Sequence, residues 1–188
     1  MSQQELLKET VKILKINNIP YMLTGSIASS LQGIPRLTHD IDIVVILKKI
    51  DVKKILNAFP KEEYYLNEST ILQAIEHKGQ FNILYTKENG KIDFWILTDS
   101  SFDKSRFSRR QKVNFMGFKL IVSSPEDTIL EKLYWSKLSG GSKKQFEDAL
   151  RVYELQYQKL DMGYLDSWSN KLDITDLFEE LKSEAEII

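Results

Sequence analysis

The sequence contains no cysteine, which excludes disulfide scaffolds, thiol nucleophiles and Cys-ligated zinc and fits a reducing compartment. Histidine is scarce: with only His39 and His77, a metal centre built from several imidazoles is excluded too. Long apolar runs are missing, and the longest aliphatic stretch, residues 43–47, falls far short of the roughly 20 residues that cross a bilayer. The opening 18 residues are amphipathic and carry Glu5 and Glu9, so they lack the continuous apolar segment of a secretory leader. Together these absences predict a cytoplasmic protein that does not engage a membrane. An excess of either charge is also missing: 26 Lys and Arg face 27 Asp and Glu, so any site for a polyanion has to be local. What is present is an ordinary globular composition, 42% hydrophobic over 188 residues, enough for about one domain with an appendage.

Ser2 and Glu5 form a capping-box pattern, and Leu7, Val11 and Leu14 recur at helical spacing, which predicts an opening helix to about residue 17. Residues 21–24 read as a short buried strand, broken by Gly25-Ser26 and followed by a helix that ends at Gly33. Residues 39–47, rich in Ile and Val, form the clearest strand pattern. Helices are expected over 52–59 and 70–78, and two hairpins at Asn89-Gly90 and Met116-Gly117. Ser124-Pro125-Glu126-Asp127 is a helix start, and the rest of the chain reads as helical. The expected fold is therefore α/β (α+β): a mixed sheet flanked by helices over residues 1–122, with a helical lobe over 123–188.

The stretch that carries chemistry is Gly25-Ser26, thirteen residues, then Asp40-Ile41-Asp42-Ile43. Because strand side chains alternate, Asp40 and Asp42 share one face while Ile41 and Ile43 take the other. Two carboxylates held that close repel each other unless a cation joins them. Magnesium suits the arrangement, since it takes one or two carboxylates and completes its shell with substrate phosphates and water. Asp93 lies in a second apolar strand and, if the two strands are neighbours, adds a third acid. Three acids can hold two magnesium ions roughly 3.5–4 Å apart, one steadying a triphosphate and one acidifying an attacking hydroxyl; manganese is the alternative ion. Gly25 lets the backbone approach a phosphate, and the amides of the following helix point at it. This reading requires Asp93 beside Asp40 and Asp42, with no lysine lodged permanently among them.

On these residues, Gly25-Ser26, Asp40-Ile41-Asp42-Ile43 and Asp93, the chain resembles the nucleotidyltransferase superfamily that includes DNA polymerase beta and the minimal nucleotidyltransferases. The string Arg36-Leu37-Thr38-His39-Asp40-Ile41-Asp42 is most similar to the AbiEii-type branch of toxin–antitoxin and abortive-infection systems. The resemblance implies that Gly25 and Ser26 contact the triphosphate, that Asp40, Asp42 and Asp93 bind metal, and that Asp93 activates the nucleophile. It places Arg36 near the mouth of the active site and makes Lys132 a nucleotide contact. The implied reaction transfers a nucleoside monophosphate from ATP, GTP, CTP or UTP to a hydroxyl of RNA, protein or a small molecule. The rival reading is a catalytically weak nucleotide- or partner-binding module, such as half of a toxin–antitoxin pair.

Other features stay open between two readings. Residues 104–112 hold five cations around Phe107, either an RNA-gripping segment with a base-stacking ring or a mobile charged loop. Lys132 is either the nucleotide contact or an ordinary exposed helix lysine. Residues 161–188 hold eight acids against two bases, either a solvated face or a docking surface for a basic partner. His39 reads as structural or as a support for Asp40, and His77 as a helix-end surface residue; the three tryptophans read as packing residues.

Overall fold

The structure, a computed structural model, describes residues 2–36, 38, 40–88 and 90–187. The elements in chain order are α1 (Gln3–Ile16), β1 (Tyr21–Leu23), α2 (Gly25–Gln32), β2 (Asp40–Val45), α3 (Val52–Ala58), β3 (Tyr64–Tyr65), α4 (Glu68–His77), β4 (Gln80–Tyr85) and β5 (Gly90–Ile96). They continue with α5 (Ser101–Ser108), β6 (Gln111–Phe115), β7 (Phe118–Val122), α6 (Pro125–Leu138), α7 (Lys143–Gln156), α8 (Met162–Lys171) and α9 (Thr175–Glu184). The chain divides into two compact units, one of residues 1–23 and 38–122, the other of residues 24–37 and 123–188. Among the described residues no helix is long and apolar enough to cross a membrane.

The first unit holds a seven-stranded mixed sheet in the order β3-β4-β5-β2-β1-β7-β6. Two of its pairings are parallel, β2 with β5 and β1 with β7, and the others are antiparallel. The alternation in β2 decides the faces: Ile41 and Ile43 are fully buried, while Asp40 is exposed and Asp42 half-buried. On the buried face Ile92 and Phe94 are their register partners, and Phe94 stacks on Phe81 of β4 at a centroid distance of 5.0 Å. Helix α1 begins as its capping box requires, Ser2 N donating to Glu5 Oε2 at 2.6 Å and Glu5 N to Ser2 Oγ at 3.3 Å. The β6–β7 hairpin turns on Met116 and Gly117, both at positive φ, the conformation whose twist matches paired strands. Asn89, expected in the other hairpin turn, lies outside the described residues, as does His39.

Residues 104–112 are not a loop, and the ring expected to stack a base is not available to one. Helix α5 covers most of the segment, and β6 takes its end. Phe107 is 5% exposed and packs against Met22 and Val44, with Trp95 and Leu97 alongside, so its ring has no face to offer a base. Arg106 is buried and bonds Asp103 at 2.7 Å, and Arg110 lies 4.1 Å over the Phe107 ring. The run of cations concealed a helix whose apolar residues, Phe102 and Phe107, are too few and too widely spaced to register as a stripe.

In the second unit α2 packs on α6 and α7, and α8 and α9 complete the bundle. Helix α6 starts as the sequence predicts: Ser124 Oγ accepts from Asp127 N at 3.2 Å, with proline in the first turn. Gly33 ends α2 against α7, where an added Cβ would lie 3.0 Å from Ser29 O and 3.1 Å from Val152 N, both backbone atoms that cannot give way.

Candidate active site

The parallel pairing of β2 with β5 sets Asp42 directly opposite Asp93, and Asp40 opposite Lys91. Since register partners point to the same side of a sheet, all four side chains emerge from one face, together with Asn82 of β4, the partner of Asp93 on its other flank. The condition set by the sequence is met in its first half: Asp93 is a neighbour of the Asp40-Asp42 strand. Phe107 and its apolar neighbours cover the far end of this face, leaving the carboxylate end polar.

Asp93 is only 4% exposed, and a buried carboxylate has to be paired and hydrogen-bonded. Asn82 Nδ2 donates to its Oδ1 at 2.9 Å, and Lys91 Nζ lies 2.7 Å from its Oδ2. Trp95 Nε1 approaches Asp42 Oδ1 at 3.5 Å, the outer limit of a hydrogen bond. The hydrogen bond to Asp93 raises the pKa of Lys91, against a desolvation that lowers it, and the charges of Asp93, Asp40 and Asp42 push it further up. Lys91 is a residue that sequence reasoning missed, although its position two before Asp93 on the same strand face was a readable signal. Its ammonium does stand among these acids, on Asp93, but the side chain is 36% exposed and so is not sealed in place.

Among the described residues no three acidic or histidine side chains stand together as a preformed metal nest. The donor set that does converge is the pair Asp42 and Asp93, with Asp40 one pleat further along the same face. Two carboxylates suit magnesium, which draws its remaining ligands from phosphate oxygens and water. The Lys91 ammonium beside Asp93 is an independent sign that this face calls for a cation.

The second unit contains the other residues singled out by the sequence. Gly25 has φ +61, which a side chain would strain, and it opens α2. Thr24 stands at the N-cap without capping, because its hydroxyl donates instead to Glu131 Oε2. The Thr24 side chain therefore takes none of the first-turn amides of α2, the groups an anion would meet. Ser26 Oγ accepts from Arg36 Nη2 at 2.7 Å, and Arg36 grips Asp148 with two bonds of 2.7 Å. Lys132 is neither exposed nor free: at 4% exposure it bonds Asp148 Oδ2 and Gln145 Oε1, both at 2.8 Å. Arg36 and Lys132 thus converge on one acid, Asp148, with Ser26 joined through Arg36, and no local pattern marks that acid out. Burial pushes the Asp148 carboxyl up, but the bonds and charges of Arg36 and Lys132 outweigh it and hold the group below the usual carboxylate range. His77 ends α4 exposed, as expected.

No family model matches the sequence, and no curated protein matches it. Solved structures do match. An antigenic nucleotidyltransferase-like protein from Paracoccidioides brasiliensis superposes with a TM-score of 0.54 at 18% identity, over 96% of this chain and 93% of that one. The lincosamide antibiotic adenylyltransferase LnuA, in its lincomycin-bound structure, gives a TM-score of 0.55 at 13% identity, over 82% of this chain and 98% of that one. The fold is nucleotidyltransferase-like. At these identities the likeness speaks for the fold, and the chemistry of the nucleotidyltransferase-like face has to be argued from its own residues.

Proposed function

We propose that the chain transfers a nucleoside monophosphate from a nucleoside triphosphate to a hydroxyl of a small-molecule acceptor, using a divalent cation held by Asp42 and Asp93 with Asp40 in support. The observation that carries this reading is the register of β2 and β5, which sets two carboxylates side by side on the polar end of a sheet face in a nucleotidyltransferase-like fold. Magnesium, or manganese in its place, would neutralise triphosphate charge there and favour the ionised acceptor hydroxyl. Asn82 fixes one oxygen of Asp93, so the other, once Lys91 moves aside, is the one that would meet both the cation and the acceptor hydroxyl and take the hydroxyl's proton. The acceptor oxygen then bonds to the α-phosphorus as the bond to the β-phosphate oxygen breaks, and pyrophosphate leaves. In the second unit, Gly25 and Ser26 keep the phosphate-binding role that the resemblance implies, supported by the positive φ of Gly25 and by a Thr24 side chain that does not cap α2. Arg36 and Lys132 act through Asp148, Arg36 steadying the Ser26 hydroxyl.

Two observations favour a small-molecule acceptor over RNA. The basic segment that suggested RNA is folded into α5 and β6 with its aromatic ring in the core, and LnuA, of similar fold, is an antibiotic adenylyltransferase. The test is transfer of label from each of the four α-labelled triphosphates to a panel of hydroxylated small molecules, total RNA and lysate protein, with magnesium. Label is expected on small molecules and is expected to fall at least about a hundredfold in Asp42→Asn and Asp93→Asn, the scale on which a group acting in the transition state contributes. Transfer that survives both substitutions, or no transfer from any triphosphate, refutes the reading.

A further inference from the structure

The polar end of the sheet face contains three carboxylates, and an ammonium answers one of them, Asp93. Lys91 lies across from Asp40 by register and two residues before Asp93 on the same face, and its Nζ is 2.7 Å from Asp93 Oδ2. The other oxygen of Asp93 is taken by Asn82, so the oxygen Lys91 covers is the one through which Asp93 could reach a metal ion. We infer that Lys91 is an internal counter-ion that occupies the cation position of Asp93 in the metal-free protein and is exchanged for the incoming divalent ion, setting how tightly that ion binds. The inference rests on the reading of Asp42 and Asp93 as metal ligands and deepens it.

Exchange is physically accessible. The Lys91 side chain is 36% exposed and enters from the rim, so its ammonium regains water as it leaves. Asp93, at 4% exposure, cannot lose its counter-charge without a replacement. The exchange therefore makes the ammonium and the divalent ion mutually exclusive at Asp93, and each stabilises the protein in the absence of the other. A lysine bound to a carboxylate through a flexible four-carbon stem suits such a role, because a guanidinium would hold the acid in a rigid two-pronged grip.

The experiment measures binding rather than turnover. Manganese is titrated into the full chain and followed by electron paramagnetic resonance and calorimetry, with thermal unfolding recorded on the same samples, for the wild type, Lys91→Met and Lys91→Arg. Lys91→Met is expected to bind manganese about tenfold more tightly, equivalent to ~1.4 kcal/mol of lost competition. It is also expected to melt at a lower temperature without metal and to regain the difference when manganese is added. Lys91→Arg is expected to fold and to bind manganese no more tightly than the wild type. Asp42→Asn and Asp93→Asn separate the two levels of the argument. If they abolish manganese binding while Lys91→Met binds no more tightly than the wild type, the exchange is overturned and the metal site stands. If they bind manganese as the wild type does, the metal site and the exchange both fall.

Discussion

Replacing Asp148 by asparagine keeps the shape of the side chain and removes the charge that Arg36 and Lys132 share. Lys132 Nζ lies 2.8 Å from Asp148 Oδ2, with side-chain exposures of 5% and 9%. Unlike charges about 4 Å apart attract by about 4 kcal/mol at an effective dielectric constant near 20. Removing one member of a buried pair characteristically costs about 3–5 kcal/mol, because the survivor is left uncompensated. Arg36 is more accessible to water, which screens its share, so the expected loss for Asp148→Asn is about 3–4 kcal/mol. In a chain of this size each 1 kcal/mol moves the melting temperature by about 2–4 °C, giving a drop of about 6–16 °C. Heat and urea unfolding followed by circular dichroism at pH 7 measure it. The acid limb is a second check. Since the folded carboxyl titrates below the unfolded one, the unfolded chain takes up the proton first as pH falls. The contribution is complete above the ordinary aspartate value of about 3.9 and disappears as pH drops through the lower folded value. Wild type and variant should therefore converge in acid. A variant within about 1 kcal/mol of the wild type at pH 7, or a gap that persists in acid, refutes the reasoning.

Ser124→Ala removes the acceptor for Asp127 N at the start of α6 and is expected to cost about 1–2 kcal/mol in urea unfolding. Phe107→Ala empties a core position and is expected to cost about 3–5 kcal/mol, with no selective loss of RNA affinity in a filter-binding assay. Gly25→Ala forces a side chain into a left-handed backbone conformation and should destabilise by about 1–2 kcal/mol while weakening triphosphate binding measured by calorimetry. The magnesium–ATP complex at about a hundred times its dissociation constant should stabilise the wild type by about 2.7 kcal/mol in thermal unfolding and Asp42→Asn by much less.

The sequence made the elements that carry the chemistry legible because their patterns are local. The alternation of Asp40-Ile41-Asp42-Ile43, the Ser2–Glu5 box, the Ser124-Pro125 start and the Met116-Gly117 turn each declare themselves within a few residues, and each has its expected form. The pairing of β2 with β5 could be stated only as a condition, since register between strands about fifty residues apart is set by the whole sheet. Helix α5 was hidden by its charges, and β3, two residues long, is too short for any periodicity. The partners of the singled-out cations were not legible at all. Asp148 comes within reach of Arg36 across 112 residues of sequence and of Lys132 only once α6 and α7 have packed.

Helix α2 finds its packing partners far downstream: the Gln32 side chain donates to Ser123 O across 91 residues, and Gln156 returns a bond to Gln32 O across 124. On the ribosome this piece of chain emerges early and then waits, at about 5–20 residues per second, for roughly 5 to 20 seconds before the first of its neighbours is made. During that interval Ile27 and Ala28 have no bundle to enter. A nascent chain stalled before α6 is thus expected to show a protease-sensitive segment at residues 24–37, and that sensitivity should vanish only after α7 has cleared the exit tunnel.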